Sequence, residues 1–306
     1  MKKMLAREET TLLALLSGHG YSKTKVKQLI KYRAVSVGRV PVKLLDHNLL
    51  PGDEVSVRSE KEMSDDRHHC PGLEIVYEDE AIIVIDKPAG LLTIATEKEK
   101  IKTAYYKLNA CLKERSPAGK GRIFIVHRLD QGTSGLLVFA KNESAKQTLQ
   151  DNWPQVDKKY AAIVEGVPRE KRGRIASQLV ESKALRVYSV SGATTDGKEA
   201  VTCYEVVKEE KEKEYALLHI TLETGRKNQI RVHMADMGHP IAGDKKYGAK
   251  SDPLGRLALH AFFLALNHPV TGKHLEFQSR MPAKFNKLFT KKTSGQALPA
   301  KPSGNS

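Results

Sequence analysis

The chain has 306 residues, 40% of them hydrophobic, which is enough for about two domains with a sizeable buried core. Three widely spaced cysteines without a C-x-x-C pair indicate neither a disulfide framework nor a zinc site, and no apolar run reaches the roughly 18 residues of a membrane span. The formal net charge of +15 excludes no enzyme class but favours a polyanionic partner such as nucleic acid, and we expect a cytoplasmic protein without a targeting segment.

Residues 10–59 are predicted to form a small α/β unit of their own. A leucine-rich helix ends at the turn Gly18 to Gly20, and a second helix begins at Ser22, a favoured N-cap residue. Val26, Leu29 and Ile30 in the second helix have the spacing of a core face. Short alternating strands, AVSVGRVPV and DEVSV, follow and are separated by the turn PGD.

The second helix of this unit also carries basic residues with no acid among them. Such a face is most often only solvated, but the imbalance favours contact with phosphate groups. The candidate RNA-binding residues are Lys23, Lys27, Lys31 and Arg33. The whole segment, including the closing PGDEVSV, resembles the S4-like module first described in a ribosomal small-subunit protein, and the resemblance implies RNA binding.

The rest of the chain is predicted to be a linker, one large domain and a tail. Residues 60–71 are polar and without periodicity, so we interpret His68, His69 and Cys70 as linker residues and not as metal ligands. Residues 72–290 are rich in short apolar strands: LEIVYEDE, AIIVIDKPAG, IFIVHRLD, SGLLVFAK, KYAAIVEG, VTCYEVV, EYALLHITLE and LALHAFFLAL. With helices over TAYYKLNACLKE and NESAKQTLQDNW, they predict an α+β domain, a large, mainly antiparallel sheet flanked by helices. Residues 291–306 are expected to be a disordered tail.

One aspartate stands out in the stretch HRLDQGTSG, residues 127–135. Asp130 follows an apolar strand and precedes a Gly-Thr-Ser-Gly turn, where it could simply bond its own backbone. A carboxylate beside buried surface needs a facing cation. The segment TGRKNQIRVH offers one, because we predict a strand there with Arg231 between two apolar neighbours and Arg226 at its start. An Asp130–Arg231 pair would meet both needs, although it could also lock the fold without any chemistry.

The large domain is similar to the RluA-type family of pseudouridine synthases. The blocks that carry the resemblance occur in the family's order over roughly residues 71–285: YEDEAIIVIDKPAGLL, HRLDQGTSGLLVFAK, KKYAAIVEG and TGRKNQIRVHMADMGHPIAGDKKYG. The resemblance implies that Asp130 is the catalytic nucleophile and that Arg128 fills the gap left by the flipped base. It also implies that Tyr160 stacks on the target uracil and takes part in proton removal, and that Arg231 pairs with the nucleophile.

One position departs from the family pattern. Many members have a histidine where this chain has Asn228, so we assign no proton-transfer role to Asn228. Isomerisation of uridine needs neither a metal nor a cofactor, and none is expected. Uracil leaves as a delocalised anion, so one carboxylate can suffice, either by attacking the sugar or by removing a sugar proton.

Other functions remain open from the residues alone. The chain could be a catalytically inactive RNA-binding or ribosome-assembly factor, but such a protein would have no reason to keep Asp130. A nucleoside hydrolase is disfavoured by the charge and by the lack of a second acid. For a synthase, large-subunit ribosomal RNA is the expected partner, transfer RNA is the alternative, and a monomer is expected.

Overall fold

The computed structural model describes residues 2–31, 34–38, 40–42, 44–58, 69–115, 121–190, 196–210, 212 and 214–289. In this part of the chain the helices are α1 (Leu12–Gly18), α2 (Lys23–Lys31), α3 (Ala104–Arg115), α4 (Glu143–Asp151), α5 (Gln229–Asp236) and α6 (Ala283–Leu288). Short 3-10 segments cover Trp153–Gln155 and Lys245–Tyr247. None of these helices is both long and apolar enough to cross a membrane.

The amino-terminal strands form two small sheets. Their bounds are β1 (Lys2–Leu5), β2 (Thr10–Thr11), β3 (Val35–Val37), β4 (Val40–Pro41), β5 (Asn48–Leu49) and β6 (Glu54–Val57). One sheet has the order β1-β6-β3-β4, and β2 pairs with β5 in the other. Strand β1 was not predicted from the sequence. A separate hydrophobic core, drawn from residues between Met4 and Val57, lies within this unit.

Helix α2 has the two faces expected from its sequence. Val26 and Leu29 are buried, and the Ser22 hydroxyl oxygen accepts a hydrogen bond from the Lys25 backbone N–H at 3.2 Å. Lys23 and Lys27 are exposed on the other side. The side chain of Lys31 and the whole of Arg33 lie outside the described residues.

One large sheet organises the rest of the chain. Its strands are β7 (His69–Cys70), β8 (Leu73–Glu78), β9 (Ile82–Lys87), β10 (Phe124–Ile125), β11 (Ser134–Ala140), β12 (Asp157–Glu165), β13 (Arg172–Glu181), β14 (Val187–Val190), β15 (Lys198–Glu210), β16 (Tyr215–Leu222), β17 (Leu259–Asn267) and β18 (His274–Gln278). The order is β14-β13-β15-β16-β12-β17-β11-β9-β8-β7, with β10 on β11 and β18 on β17. Only β11 and β17 pair in parallel among the described strands. The predicted α+β fold with a mainly antiparallel sheet is confirmed.

The sheet order brings distant parts of the chain together around β17. Strand β17 pairs with β12 on one side and with β11 on the other. The loop that ends at β11 contains Asp130, and β12 contains Tyr160. Helix α5, which contains Arg231, follows β16, and β16 is the other neighbour of β12. The strand order therefore places the three residues around one region of the sheet.

The strand predicted over TGRKNQIRVH is wrong, because the structure has helix α5 there. Ile230, Val232 and Met234 are all buried, and so are Gln229 and His233 between them. A helix that is buried on several sides places apolar residues at alternate positions, which imitates the pattern of a half-buried strand. The backbone N–H of Val232 donates to the carbonyl of Asn228 at 3.0 Å, as in a helical turn.

The predicted linker and tail fall mostly outside the described residues. Residues 59–68 and the expected tail at 291–306 are among those outside. His69 and Cys70 form β7, which pairs with β8, so the large sheet extends into the segment expected to be linker.

Candidate active site

Asp130 lies in a loop that is fixed by hydrogen bonds to the segment after β9. The hydroxyl of Thr93 donates to the Leu129 carbonyl at 2.7 Å and accepts from the Leu129 backbone N–H at 3.2 Å. Gly90 and Gln131 exchange two further hydrogen bonds, Gly90 N–H to Gln131 O at 2.8 Å and Gln131 Nε2 to Gly90 O at 3.1 Å. The position of the Asp130 carboxylate is thus set from both of its chain neighbours.

A buried lysine supports the same loop. The Lys87 ammonium is fully buried and donates to the carbonyls of Leu91 at 2.7 Å, Pro88 at 3.1 Å and Gln131 at 3.3 Å. Burial, followed by the charge of Arg256, lowers the pKa of Lys87 to about 8, while the charge of Asp130 opposes this shift. Lys87 therefore ties the loop to β9 and adds positive charge beneath the carboxylate.

Gly135 explains why the loop can enter β11 so close to β17. Its φ is 113°, and a Cβ atom there would lie 2.1 Å from the Ala261 carbonyl oxygen. Any other residue would be strained in this backbone conformation and would push β11 away from β17. The second glycine of the HRLDQGTSG stretch, Gly135, is required by this close approach.

Arg231 on α5 faces two carboxylates. Its Nε and Nη2 donate to the two oxygens of Asp244 at 2.7 and 2.8 Å, and its Nη1 lies 3.2 Å from Asp130 Oδ2. Burial disfavours the charged guanidinium, but the hydrogen bonds and charge of Asp244, followed by those of Asp130, raise the pKa of Arg231 above its ordinary value. Arg231 is therefore a permanent cation beside Asp130.

Asn228 holds the same guanidinium from the start of α5. Its side-chain oxygen accepts from Arg231 Nη1 at 3.0 Å, and its nitrogen donates to the Tyr247 hydroxyl at 3.0 Å. The Tyr247 ring in turn lies under the Arg231 guanidinium, with 4.9 Å from Cζ to the ring centre. Asn228 has a φ of 56°, a left-handed conformation that asparagine tolerates better than most residues. It acts here as a hydrogen-bonding bridge.

Tyr160 borders the site from β12. The pairing of β12 with β17 shifts register between Lys159 and Tyr160. Burial, followed by the charge of Asp130, raises the pKa of the Tyr160 hydroxyl above its ordinary value. The side chain is therefore an uncharged aromatic ring with a protonated hydroxyl next to the carboxylate.

The site opens into a cleft that can admit a ligand. The cleft has a volume of about 560 Å³, and its walls include Arg128, Asp130, Tyr160 and Arg226. A recess of about 60 Å³ extends from it to Arg231. Among the residues that the structure describes, no group of three or more His, Cys, Asp and Glu side chains is placed to hold a metal ion.

The structure brings four of the candidate residues together. Asp130, Tyr160 and Arg231 surround the recess, and the exposed Arg128 lies at its edge. Lys23 and Lys27 lie in the amino-terminal unit. Sequence reasoning missed Asp244, although it lies in the last of the four quoted blocks, TGRKNQIRVHMADMGHPIAGDKKYG. The signal that could have identified Asp244 is that a buried arginine, Arg231, needs a carboxylate partner.

Comparison with known families gives a match over half of the chain. The sequence model of the family described as RNA pseudouridylate synthase matches residues 81–236, a segment that contains Asp130, Tyr160 and Arg231. An RNA pseudouridine synthase of Bacillus subtilis, YlyB, is 37% identical over 274 residues, which cover 88% of this chain and 89% of that protein. Ribosomal large subunit pseudouridine synthase D of Haemophilus ducreyi is 32% identical over 288 residues, covering 88% of this chain and 86% of that one.

Solved structures give a similar result. Human RNA pseudouridylate synthase domain containing 4 aligns with a TM-score of 0.58 and 26% identity, over 70% of this chain and 90% of that one. A second human protein, RNA pseudouridylate synthase domain containing 1, aligns with a TM-score of 0.56 and 25% identity, over 70% of this chain and 85% of that one.

Proposed function

The chain belongs to the RNA pseudouridylate synthase family, and from this premise we propose that Asp130 isomerises a flipped-out uridine of large-subunit ribosomal RNA. The observation that carries the proposal is the Asp130–Arg231 pair. Arg231 Nη1 is 3.2 Å from the carboxylate, and the Asp130 side chain is still 28% exposed to the cleft. An acid that is paired but accessible can act on a sugar that enters the cleft.

The reaction needs one bond broken and one bond made at the same sugar carbon. The bond from C1′ of the ribose to N1 of uracil breaks, the base turns over, and a bond from C1′ to C5 forms while C5 loses its proton. Asp130 supports this in one of two ways. In the first it adds to C1′, and the bond between Asp130 and C1′ breaks again when C5 attacks. In the second it removes the proton from C2′ to give a glycal and returns that proton to C2′ when C5 bonds to C1′. A primary isotope effect with 2′-deuterated uridine is expected only for the second route.

Two neighbouring residues complete the proposed site. Tyr160 stacks on the uracil, and its hydroxyl relays the C5 proton by accepting it while giving its own proton to the Asp130 carboxylate. Arg128, at the exposed end of the loop, fills the space that the everted nucleotide leaves in the RNA. The raised pKa of Tyr160 supports the stacking role, because a neutral ring is better suited to contact with an anionic leaving base than a phenolate.

The proposed RNA follows from relatives and from the amino-terminal unit. Proteins named ribosomal large subunit pseudouridine synthase D, from Haemophilus ducreyi and Zymomonas mobilis, are 32% and 36% identical to this chain. We assign residues 10–59 as an S4-like RNA-binding module, to whose sheet β1 also belongs, and residues 72–290 as the catalytic domain, to whose sheet β7 also belongs. The exposed Lys23 and Lys27 on α2 support phosphate contact by the module.

Mapping of pseudouridines in cells tests this function. RNA from cells with the gene, without it, and with the Asp130→Asn gene is treated with carbodiimide and read by primer extension. We expect at least one stop in large-subunit ribosomal RNA that disappears without the gene and returns only with the unchanged gene. A stop restored by Asp130→Asn contradicts the role of the aspartate, and a gene-dependent stop confined to transfer RNA contradicts the ribosomal target.

A further inference from the structure

The cleft continues past Asp130 to a second wall that the proposed reaction does not use. This wall, which we call the distal wall, consists of His127, Trp153 and Lys158, and all three border the same cleft as Asp130. The rings of His127 and Trp153 are stacked with 4.3 Å between their centres and 27° between their planes. Lys158 Nζ lies 5.6 Å from the centre of the Trp153 ring.

Lys158 is a buried cation without a charged partner. It is 6% exposed, and its ammonium donates to the Trp153 carbonyl at 3.1 Å. No carboxylate of the described residues forms an ion pair with it, and the adjacent Asp157 pairs instead with Lys159 at 3.4 Å. Burial lowers the pKa of Lys158, and the charge of Asp157 only partly opposes this. Two of its three N–H groups therefore remain available for an acceptor from the cleft.

His127 contributes a second donor of fixed orientation. Its Nε2 is 3.1 Å from the backbone N–H of Val138, which can only donate, so the ring proton is on Nδ1. Burial, followed by the charge of Lys158, lowers the pKa of His127 to about 3 and keeps the ring neutral. Within the described part of the chain, Nδ1 makes no hydrogen bond. The distal wall thus presents N–H donors and an aromatic ring.

The charge and size of the cleft indicate what this wall binds. Asp130 is the one carboxylate among the described residues that line the cleft, whereas Arg128, Arg226, Lys158 and Lys227 all line it. A volume of about 560 Å³ is at the scale of a drug-sized ligand and exceeds the needs of a single everted base. Phosphate matches the unused donors, and a nucleobase matches the ring.

We propose that the distal wall binds the nucleotide next to the target uridine, with the connecting phosphate on Lys158 and His127 and the neighbouring base against the part of the Trp153 ring that His127 leaves uncovered. This inference rests on the proposed function, because the target uridine is what places the neighbour in the cleft. The enzyme would then evert two adjacent nucleotides, and the second one would hold the first against Asp130.

Trp153 is the only tryptophan of the chain, so its fluorescence reports on this wall alone. The full-length protein is titrated with uridine, with the dinucleotide UpU, and with UpU in which a neutral methylphosphonate replaces the phosphate. We expect saturable quenching by UpU, at a concentration at least about tenfold lower than for uridine or for the methylphosphonate. Equal half-saturation by the three ligands, or no quenching, overturns the proposal.

A matched pair of variants locates the phosphate. Lys158→Gln is expected to raise the half-saturating UpU concentration about tenfold and to abolish the difference between UpU and the methylphosphonate. Lys159→Gln removes the same charge from the next residue, whose side chain pairs with Asp157. This variant is expected to change the half-saturating UpU concentration less than about twofold. Equal effects of the two variants overturn the proposal. If Lys158→Gln does not fold, the methylphosphonate comparison in the unchanged protein decides.

This binding measurement is independent of turnover. If the protein forms pseudouridine but UpU does not quench its fluorescence, the proposal for the distal wall is contradicted and the proposed function is not. Quenching with the expected pattern in a protein that makes no pseudouridine removes the proposed function and leaves a dinucleotide site.

Discussion

Asp244 holds Arg231 by two hydrogen bonds, at 2.7 and 2.8 Å, whereas Asp130 meets the same guanidinium through one nitrogen at 3.2 Å. The Asp244 side chain is 1% exposed and that of Asp130 is 28% exposed. One carboxylate therefore neutralises and orients the buried cation, and the other is left accessible. This division predicts different effects for the two acids.

Replacement of Asp130 by asparagine is expected to abolish isomerisation without loss of RNA binding. The substitution removes the charge that we propose to be the nucleophile and keeps the size of the side chain, and Arg231 stays paired with Asp244. Turnover of a mapped RNA substrate should fall by at least about 1,000-fold, while the Kd changes by less than about twofold. Single-turnover assays and filter binding measure the two quantities, and unchanged turnover would refute the assignment.

Replacement of Asp244 by asparagine is expected to lower the free energy of unfolding more than replacement of Asp130 does. It leaves a buried guanidinium that is only partly compensated by Asp130, a change that typically destabilises by about 3–5 kcal/mol. Urea denaturation of Asp244→Asn and Asp130→Asn measures the free energy of unfolding of each. We expect a large loss of unfolding free energy for Asp244→Asn and a loss of less than about 1 kcal/mol for Asp130→Asn. The reverse order would contradict the inference that Asp244, and not Asp130, holds the buried Arg231.

Asn228 gives a test of the bridge between Arg231 and Tyr247. Asn228→Gly removes both side-chain hydrogen bonds and tolerates the φ of 56°, and should destabilise by about 1–2 kcal/mol. Asn228→Ala adds backbone strain and should lose about 1 kcal/mol more. Thermal unfolding at one pH compares the two variants. Equal stability of both would show that the left-handed conformation is not maintained.

The buried His260 predicts a loss of stability in acid. Burial, followed by the charge of Arg256, lowers its pKa to about 4, below the value of about 6.5 expected for the unfolded chain. Between these values the unfolded state binds more protons, so the contribution is complete above pH 6.5 and is lost as the pH falls towards 4. The slope is up to about 1.4 kcal/mol per pH unit. Urea denaturation across this range should show a shallower dependence for His260→Gln than for the unchanged protein.

The basic face of α2 predicts a change in the salt dependence of RNA binding. Removal of one lysine that neutralises a phosphate should reduce the slope of log K against log salt by somewhat less than one. Lys23→Gln with Lys27→Gln should therefore flatten the slope and weaken binding, more than the same change at the exposed Lys208 and Lys273 of the large domain. Equal slopes for the two double variants would show that α2 does not bind phosphates. Deletion of residues 1–60 should weaken RNA binding and flatten the salt dependence more than the double substitution does.

Much of the fold could be predicted, because strong local patterns coincide with the final elements. The apolar runs of β9 and β11 and the helices α3 and α4 follow from composition and period alone. Strand β13 was missed because most of it is exposed or half-buried, so it lacks an apolar pattern. Helix α5 was misassigned for the opposite reason, since burial on several sides hides the helical period.

Residues of the candidate site could be selected from the sequence where local sequence marks them, but not where a distant partner defines their position. Asp130 stands at a recognisable turn, and Arg231 lies between apolar neighbours. The roles of Asp244 and Lys87 become visible only in the tertiary structure. Asp244 binds the Arg231 guanidinium, and Lys87 donates to carbonyls of the loop that contains Asp130. Local patterns carry no information on such partners.

The parallel pairing of β11 with β17 has a consequence for synthesis of the chain. Asp130 precedes its partner Arg231 by 101 positions in the sequence. Strand β17, which lies between β11 and β12 in the sheet, follows later still. A nascent chain that emerges from its ribosome therefore exposes the acid long before the guanidinium, and before the strand against which Gly135 must close. Pairings of such long sequence separation form late in folding. The Asp130–Arg231 pair and the strands around it can be completed only after β17 has been synthesised.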